Sequence, residues 1–349
     1  MEMKAMGPHL AIPVIEPTQV GEARRAAARL TLEMGFDELS AGRAALVVTE
    51  LGTNLARHAK DGMLLLGCTA NDAGGTLEIL SLDHGPGITD LRQSLADGHS
   101  TGGSPGTGLG AVRRLANDFH IFSLPGNGTA IVARIHAKPA TAGAFTHGQG
   151  QGQTFSVGGI CIPAPGETVC GDSWAVRMNG SKARVMVADG LGHGPQAAEA
   201  SQAATQVFAT ANGAPHAVLE RAHALMRSTR GAAVAIAELD ATANSLLFAG
   251  AGNIAGRLLS GVDDRTLMSQ HGTLGVQVRK LADASYPWPD HAMVVLHSDG
   301  ITSRWNIDGA RGILQQDPTL IAGWLLRSGL RGRDDATVVV IKRAREQGA

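Results

Sequence analysis

Apolar residues recur at helical spacing over residues 17–35, with Val20, Ala23, Ala27, Leu30 and Met34 near one face and Arg24, Arg25 and Arg29 off it. That pattern predicts an amphipathic helix. A second helix is predicted from Ser40, an apt N-cap, to Ala59. On it Leu51 and Leu55 stand four apart and would anchor the helix to a sheet, while Glu50 and Asn54 share the neighbouring face, with His58 one turn later. Strand-like Thr76 to Leu82 leads into Asp83-His-Gly-Pro-Gly-Ile88. A glycine- and serine-rich stretch, Gly98 to Ser104, precedes Gly106-Thr-Gly-Leu-Gly110, and helical Ala111 to Ala116 follows directly.

The pattern stops at Lys138 to Gln153, which has no periodicity and a flexible composition, as in a linker. Beyond it, Arg184 to Ala188 reads as a strand, Gln196 to Thr229 as Ala-rich helix anchored by Val218, Leu219, Leu225 and Met226, and Thr229 to Ala237, Asn244 to Phe248 and Ala255 to Leu259 as strands. Met293 to His297 and Ala336 to Ile341 are β-branched, apolar runs. A chain of 349 residues fits roughly two domains. The expected organisation is a first domain over 1–137, a linker over 138–153 and a second domain over 154–349.

Composition narrows the function classes. The chain is 44% hydrophobic and 17% charged, enough for packed cores and unlike a disordered chain. A net charge of −1 gives no reason to expect nucleic acid. No run of ~18 apolar residues predicts a membrane span. Cys68, Cys161 and Cys170 form neither an even set nor a zinc pattern, and read as reduced thiols of a cytoplasmic protein.

Four acidic motifs are spread along the second half: Gly171-Asp172, Asp189-Gly190, Asp299-Gly300 and Asp334-Asp335. Two of them end apolar strands and one opens a strand. A single Asp-Gly is ordinary turn chemistry. Converging strand ends that gather several hard carboxylate oxygens suit Mg²⁺ or Mn²⁺.

With their neighbours these residues resemble the SpoIIE-like branch of the metal-dependent PPM protein phosphatases over about 154–342. The matching segments are Gly166-Glu-Thr-Val-Cys-Gly-Asp172, Val187-Ala-Asp-Gly-Leu-Gly-His-Gly194, Gly250-Ala-Gly-Asn253, His297-Ser-Asp-Gly300 and Arg333-Asp-Asp-Ala-Thr337. The resemblance implies an α/β/β/α sandwich with two divalent ions, Mn²⁺ or Mg²⁺, bridged by a hydroxide that hydrolyses phosphoserine or phosphothreonine. By it, Asp189 bridges both ions, the Gly190 carbonyl binds one, and Asp172, Asp299 and Asp334 complete the set, with Asp335 ranked below Asp334. His193 either protonates the leaving group or is structural. The arginine that clamps phosphate in eukaryotic relatives has no clear counterpart. Asn253 lies near the site or caps a turn; Arg327, Arg331, Arg333, Lys342, Arg343 and Arg345 read most simply as a solvated basic face.

The first half resembles the Bergerat-fold (GHKL, HATPase) ATPases over about 10–137, on Glu50-x-x-x-Asn54, Asp83-x-Gly-x-Gly87 and Gly106-Thr-Gly-Leu-Gly110. The fold implied is an α/β sandwich with helices on one face of a mixed sheet, binding ATP with Mg²⁺. Asn54 would hold the Mg²⁺ and Asp83 would accept from the adenine amino group, a match for an acceptor-only carboxylate. Gly85 and Gly87 would shape the adenine pocket, with Thr129 near the base. Gly106, Thr107, Gly108, Leu109 and Gly110 would cradle the phosphates, where backbone N–H groups approach anions. Glu50 would be the kinase general base. Glu50-Leu-Gly-Thr-Asn54 followed by Arg57-His58-Ala59 looks like the anti-sigma-factor serine/threonine kinase branch. The combined expectation is a bifunctional partner-switching regulator acting on STAS-domain proteins of the anti-anti-sigma or stressosome type. The alternatives are a phosphatase regulated by a non-catalytic ATP sensor, or a first domain that binds a sigma factor or other regulator.

Overall fold

The structure is a computed structural model that describes residues 2–5, 7–71, 74–95, 108–137, 154–261, 263–305 and 307–344. The expected linker, 138–153, and the site residues Gly106 and Thr107 lie outside the described residues. The chain forms two compact units: His9–Gln151, and Met1–Pro8 together with Gly152–Ala349.

In the first unit a five-stranded sheet runs in the order Leu10–Pro13, Met63–Asn71, Gly74–Leu82, Gly128–His136, Asp118–Leu124. Every pairing is antiparallel, where a mixed sheet was expected. The helices Pro17–Glu33 and Glu38–His58 form a hairpin that brings the chain back to the end of the sheet it left; Met63–Asn71 with Gly74–Leu82, and Asp118–Leu124 with Gly128–His136, pair across short connections. Ala23, Ala27, Ala44, Val47, Val48, Leu51 and Leu55 of this hairpin pack on Leu64, Leu66, Leu77, Ile79, Ile131 and Ile135 of the sheet. Each fully buried leucine here contributes about 1.5–3 kcal/mol. The second helix is capped by Asp37, whose carboxylate accepts from Ser40 N at 2.8 Å; Ser40, the expected cap, is buried inside the first turn.

The second unit stacks two antiparallel sheets. One has six strands, in the order Glu2–Ala5, Asp172–Asn179, Lys182–Gly190, Ala232–Asp240, Ser245–Ala251, Ala284–Pro287. The other has five: Asp264–Leu267, Ala255–Leu259, Met293–His297, Ala336–Arg343, Phe155–Ile162. Val185, Val187, Ala235, Phe248, Trp288, Val294, Leu296, Val339 and Ile341 meet between them. Helices Pro195–Thr210 and Pro215–Leu225 cover the outer face of the first sheet through Ala200, Ala204, Phe208 and Leu219, and Pro318–Gly329 lies against the second.

Two expectations are corrected in this unit. The helix expected over 196–229 breaks at Ala211, where Asn212-Gly213-Ala-Pro215 intervenes; Gly213 has φ 112° and Pro215 opens the next helix. The strand Glu2–Ala5, assigned by sequence to the first domain, pairs with Asp172–Asn179 in this sheet, Ala5 opposite Ala175. An open sheet edge accepts an extended segment from any part of the chain, and four residues carry no periodicity that says which.

Candidate functional sites

In the second unit the strand register decides which carboxylates meet. Asp172 opens its strand directly opposite Asp189, near the end of the neighbouring one. Gly190 must be glycine, because a Cβ there would overlap the Ala197 carbonyl oxygen at the start of the next helix. Asp299 follows Met293–His297 and Asp334 precedes Ala336–Arg343, and these strands are adjacent and antiparallel, so both residues fall at the same end. The Arg331 N–H donates to the Gly300 carbonyl at 2.9 Å and draws the two turns together.

Asp172 is 5% exposed, and neither of its carboxylate oxygens has a hydrogen-bonding partner of ordinary geometry. Burial pushes its pKa up to about 7, and the nearby Ser298 and Thr337 hydroxyls offset only part of that. Asp189 is pushed up to about 9, first by burial and then by the charges of Asp172, Asp299, Asp334 and Asp335. A cation is the natural remedy for such a group of carboxylates, so the donors fit hard divalent ions. Among the described residues, no three of these groups stand close enough together to hold one ion. Asp335 is occupied elsewhere: its carboxylate accepts from Ala164 N at 2.8 Å and Gly171 N at 2.9 Å, and so braces the loop before Asp172. Asp334 makes no such commitment beyond accepting from its neighbour's N–H at 2.9 Å.

Three features near the carboxylates were not resolved by sequence. Asn253 Nδ2 donates to Asp299 Oδ2 at 2.6 Å, so this residue belongs to the cluster's surroundings. His193 Nδ1 lies 2.7 Å from Glu167 Oε1, a histidine–carboxylate pair that leaves Nε2 free to exchange a proton. Arg331 and Arg333 line a cavity of about 410 Å³ with Asp299 and Asp334. Three others of the expected basic face are held against the fold: Arg327 lies 3.8 Å over the Trp324 ring, Arg343 4.8 Å over Trp288, and Lys342 donates to the Gln316 carbonyl, while Arg345 lies outside the described residues. Cys170 is buried 3.2 Å from Cys161; that contact and burial push its thiol pKa up, so it is a packing residue rather than a nucleophile.

In the first unit Glu50 and Asn54 are half-buried on one helix. Burial raises the Glu50 pKa, and Arg57 lowers it in part. The helix's C-terminal end meets the loop after Gly74–Leu82, where His84 N donates to Lys60 O at 2.8 Å. Asp83 N donates to Thr129 O at 3.0 Å, and Asp83 Oδ1 accepts from Gly85 N at 2.7 Å. Gly87 has φ +70°, and a Cβ there would overlap the Leu124 carbonyl oxygen. Thr129 Oγ1 is 2.9 Å from Ser123 Oγ, which accepts from Ile88 N at 2.7 Å. Ser123 thus ties the loop to the sheet, a role that sequence did not single out. Gly108 caps the helix Leu109–Leu115, which contains Gly110, on the C-terminal side of Gly106 and Thr107.

The comparisons with known proteins fall on these two sites. Residues 14–135 match the histidine kinase-like ATPase domain. The serine/threonine-protein kinase RsbT of Bacillus subtilis (strain 168) is 35% identical over 111 residues, 32% of this chain and 84% of RsbT. Residues 179–344 match the stage II sporulation protein E (SpoIIE) family. The chain is a fusion of an RsbT-family kinase domain with a SpoIIE-type serine/threonine phosphatase domain. A chain from a structure of the bacterial stressosome, described as a modular system adapted to control secondary messenger signalling, superposes on 54% of the fusion and on all (100%) of itself. The identity is 26% and the TM-score 0.50. RsbX in complex with magnesium is similar at 22% identity and TM-score 0.48, over 55% of the fusion and 96% of RsbX. The SpoIIE match begins after Asp172, and the pairing opposite Asp189 is what brings that residue to the site.

No helix among the described residues is long and apolar enough to cross a membrane.

Proposed function

We propose that this partner-switching regulator is bifunctional: its first domain phosphorylates a serine or threonine of a STAS-domain protein of the anti-anti-sigma or stressosome type, and its second removes that phosphate. The observation that carries the reading is the Asp172–Asp189 pair: a buried carboxylate with no hydrogen-bonding partner of ordinary geometry, held opposite a half-buried one whose pKa burial and acidic neighbours push up. Such an arrangement costs stability unless cations bind there. Asp172, Asp189, the Gly190 carbonyl, Asp299 and Asp334 would hold two Mg²⁺ or Mn²⁺ ions. When bound, these supply an acidified water and charge stabilisation for in-line displacement at phosphorus.

The protein's own groups would divide the remaining work. Asn253 orients Asp299 through its amide. Glu167 fixes the His193 ring, and a protonated Nε2 would hand its proton to the serine oxygen as the bond to phosphorus breaks. In the kinase domain Asn54 would hold Mg²⁺ and Asp83 the adenine of ATP, with Gly85, Gly87 and Thr129 walling the base and Gly108, Leu109 and Gly110 beside the phosphates. Glu50 would take the proton of the attacking hydroxyl, a task that its burial-raised pKa suits.

Hydrolysis of a phosphoserine peptide by the full chain tests the second half of this reading. Activity should require added Mn²⁺ or Mg²⁺ and vanish with chelator. Undiminished activity in metal-free buffer would refute the assignment.

A further inference from the structure

Six arginines of the phosphatase unit are committed within the fold, Arg311 through its pair with Asp308. Arg177 donates to the Phe208 and Ala211 carbonyls, Arg184 pairs with Glu238, Arg257 pairs with Asp264, and Arg327 and Arg343 lie over tryptophan rings. Arg331 and Arg333 differ. Both are exposed, and the side chain of neither makes a hydrogen bond or ion pair among the described residues, although Asp299 and Asp334 line the same cavity. Their backbone is nevertheless held. Arg331 N donates to Gly300 O at 2.9 Å, Leu330 bridges Ile301, and Gly332 between them turns the chain at φ +65°.

We propose that Arg331 and Arg333 form the seat for the phosphoryl group of the substrate, an inference that rests on the phosphatase reading above. The argument is one of charge and shape. Four carboxylates and two divalent cations would cancel, leaving no net attraction for a phosphomonoester dianion. Two guanidiniums at the mouth supply that attraction, and their planar forks match phosphate oxygens in bidentate geometry. A cavity of about 410 Å³ holds a phosphoryl group with its serine stem and some water, while remaining open to a protein surface. The competing role is that of counter-charges to the carboxylates. That role would bring the guanidiniums onto Asp299 or Asp334, and neither arginine forms such an ion pair.

The test is the R331Q/R333Q double variant of the full chain, with R221Q, an exposed arginine of the Pro215–Leu225 helix, as control. Loss of charge-assisted contacts at an exposed seat predicts about a tenfold rise in KM for a phosphoserine peptide and in the inhibition constant of inorganic phosphate. The kcat should stay within about twofold, and Mg²⁺ affinity by calorimetry should be unchanged. R331K/R333K should recover only part of the loss, because it restores charge without the fork. Unchanged KM and phosphate inhibition, or a tighter Mg²⁺ affinity with unchanged KM, would overturn the seat. An inactive wild type would remove the phosphatase reading separately. Calorimetric titration of inorganic phosphate into Mg²⁺-loaded protein would still decide the seat, upheld if the double variant loses binding and overturned if it binds equally.

Discussion

Replacing Asp189 by Asn should raise the stability of the metal-free phosphatase unit while abolishing its activity, opposite effects of one charge. Asp189 has its pKa pushed from 3.8 up to about 9 by burial and by its acidic neighbours. The folded state therefore holds a proton that the unfolded chain releases above pH 3.8. Where the folded state binds more protons, stability falls as pH rises. The contribution is fully present below pH 3.8 and is lost progressively up to about pH 9. At pH 7 the gap from the ordinary value is about three pH units, or about 4 kcal/mol at ~1.4 kcal/mol per unit. Water at the half-buried carboxylate screens part of this, leaving about 2 kcal/mol for Asn to recover. Asp172, raised to about 7, adds to the slope in the same direction, and neighbouring carboxylates give up protons as a set. Tryptophan fluorescence isolates the unit, since Trp174, Trp288, Trp305 and Trp324 are the chain's 4 tryptophans and all lie in it. Urea denaturation of chelator-treated protein at pH 5.5 and 7.5 should show the wild type losing stability at the higher pH, with D189N losing less and exceeding it at 7.5. A less stable D189N at pH 7.5, or a wild type that gains stability over that interval, would refute the reasoning.

Two further outcomes concern the kinase domain. Asn54→Ala or Asp83→Asn should remove productive ATP binding in a nucleotide titration and leave metal-dependent hydrolysis of a small phosphoester unchanged on the same preparation, because separate cores build the two sites. Gly87→Ala should cost about 1–3 kcal/mol through its left-handed φ and the Leu124 carbonyl, and ATP should then protect the domain less in a thermal shift assay; an unchanged melting profile would contradict the backbone argument.

The strand-end placement of Asp172, Asp189, Asp299 and Asp334 was legible in the sequence because glycine beside aspartate at the ends of β-branched runs is a local signal. The helix hairpin was legible too, since Leu51 and Leu55 repeat at helical spacing against a strand-period partner. What sequence missed is mostly nonlocal. The Glu167–His193 pair spans 26 positions, and Ser123 acts through a loop that closes over it in space. The basic residues near the C-terminus read as one solvated face, yet long stems allow Arg327 and Arg343 to lie over tryptophan rings, leaving Arg331 and Arg333 in the cavity. The break at Ala211 was hidden because Ala-rich spacing continues across Asn212-Gly213.

The central claim is that opposed activities on one chain act on the same partner. Joining them raises the local concentration of a docked substrate for both. Phosphate incorporated into a cognate STAS-domain protein from labelled ATP, followed to its plateau, tests this directly. Wild type should reach a low plateau while ATP continues to be consumed, D189N should drive the partner to near-complete phosphorylation, and Glu50→Ala should leave it unmodified. A D189N protein that yields no more phosphorylated partner than wild type, across cognate candidates, would contradict the account.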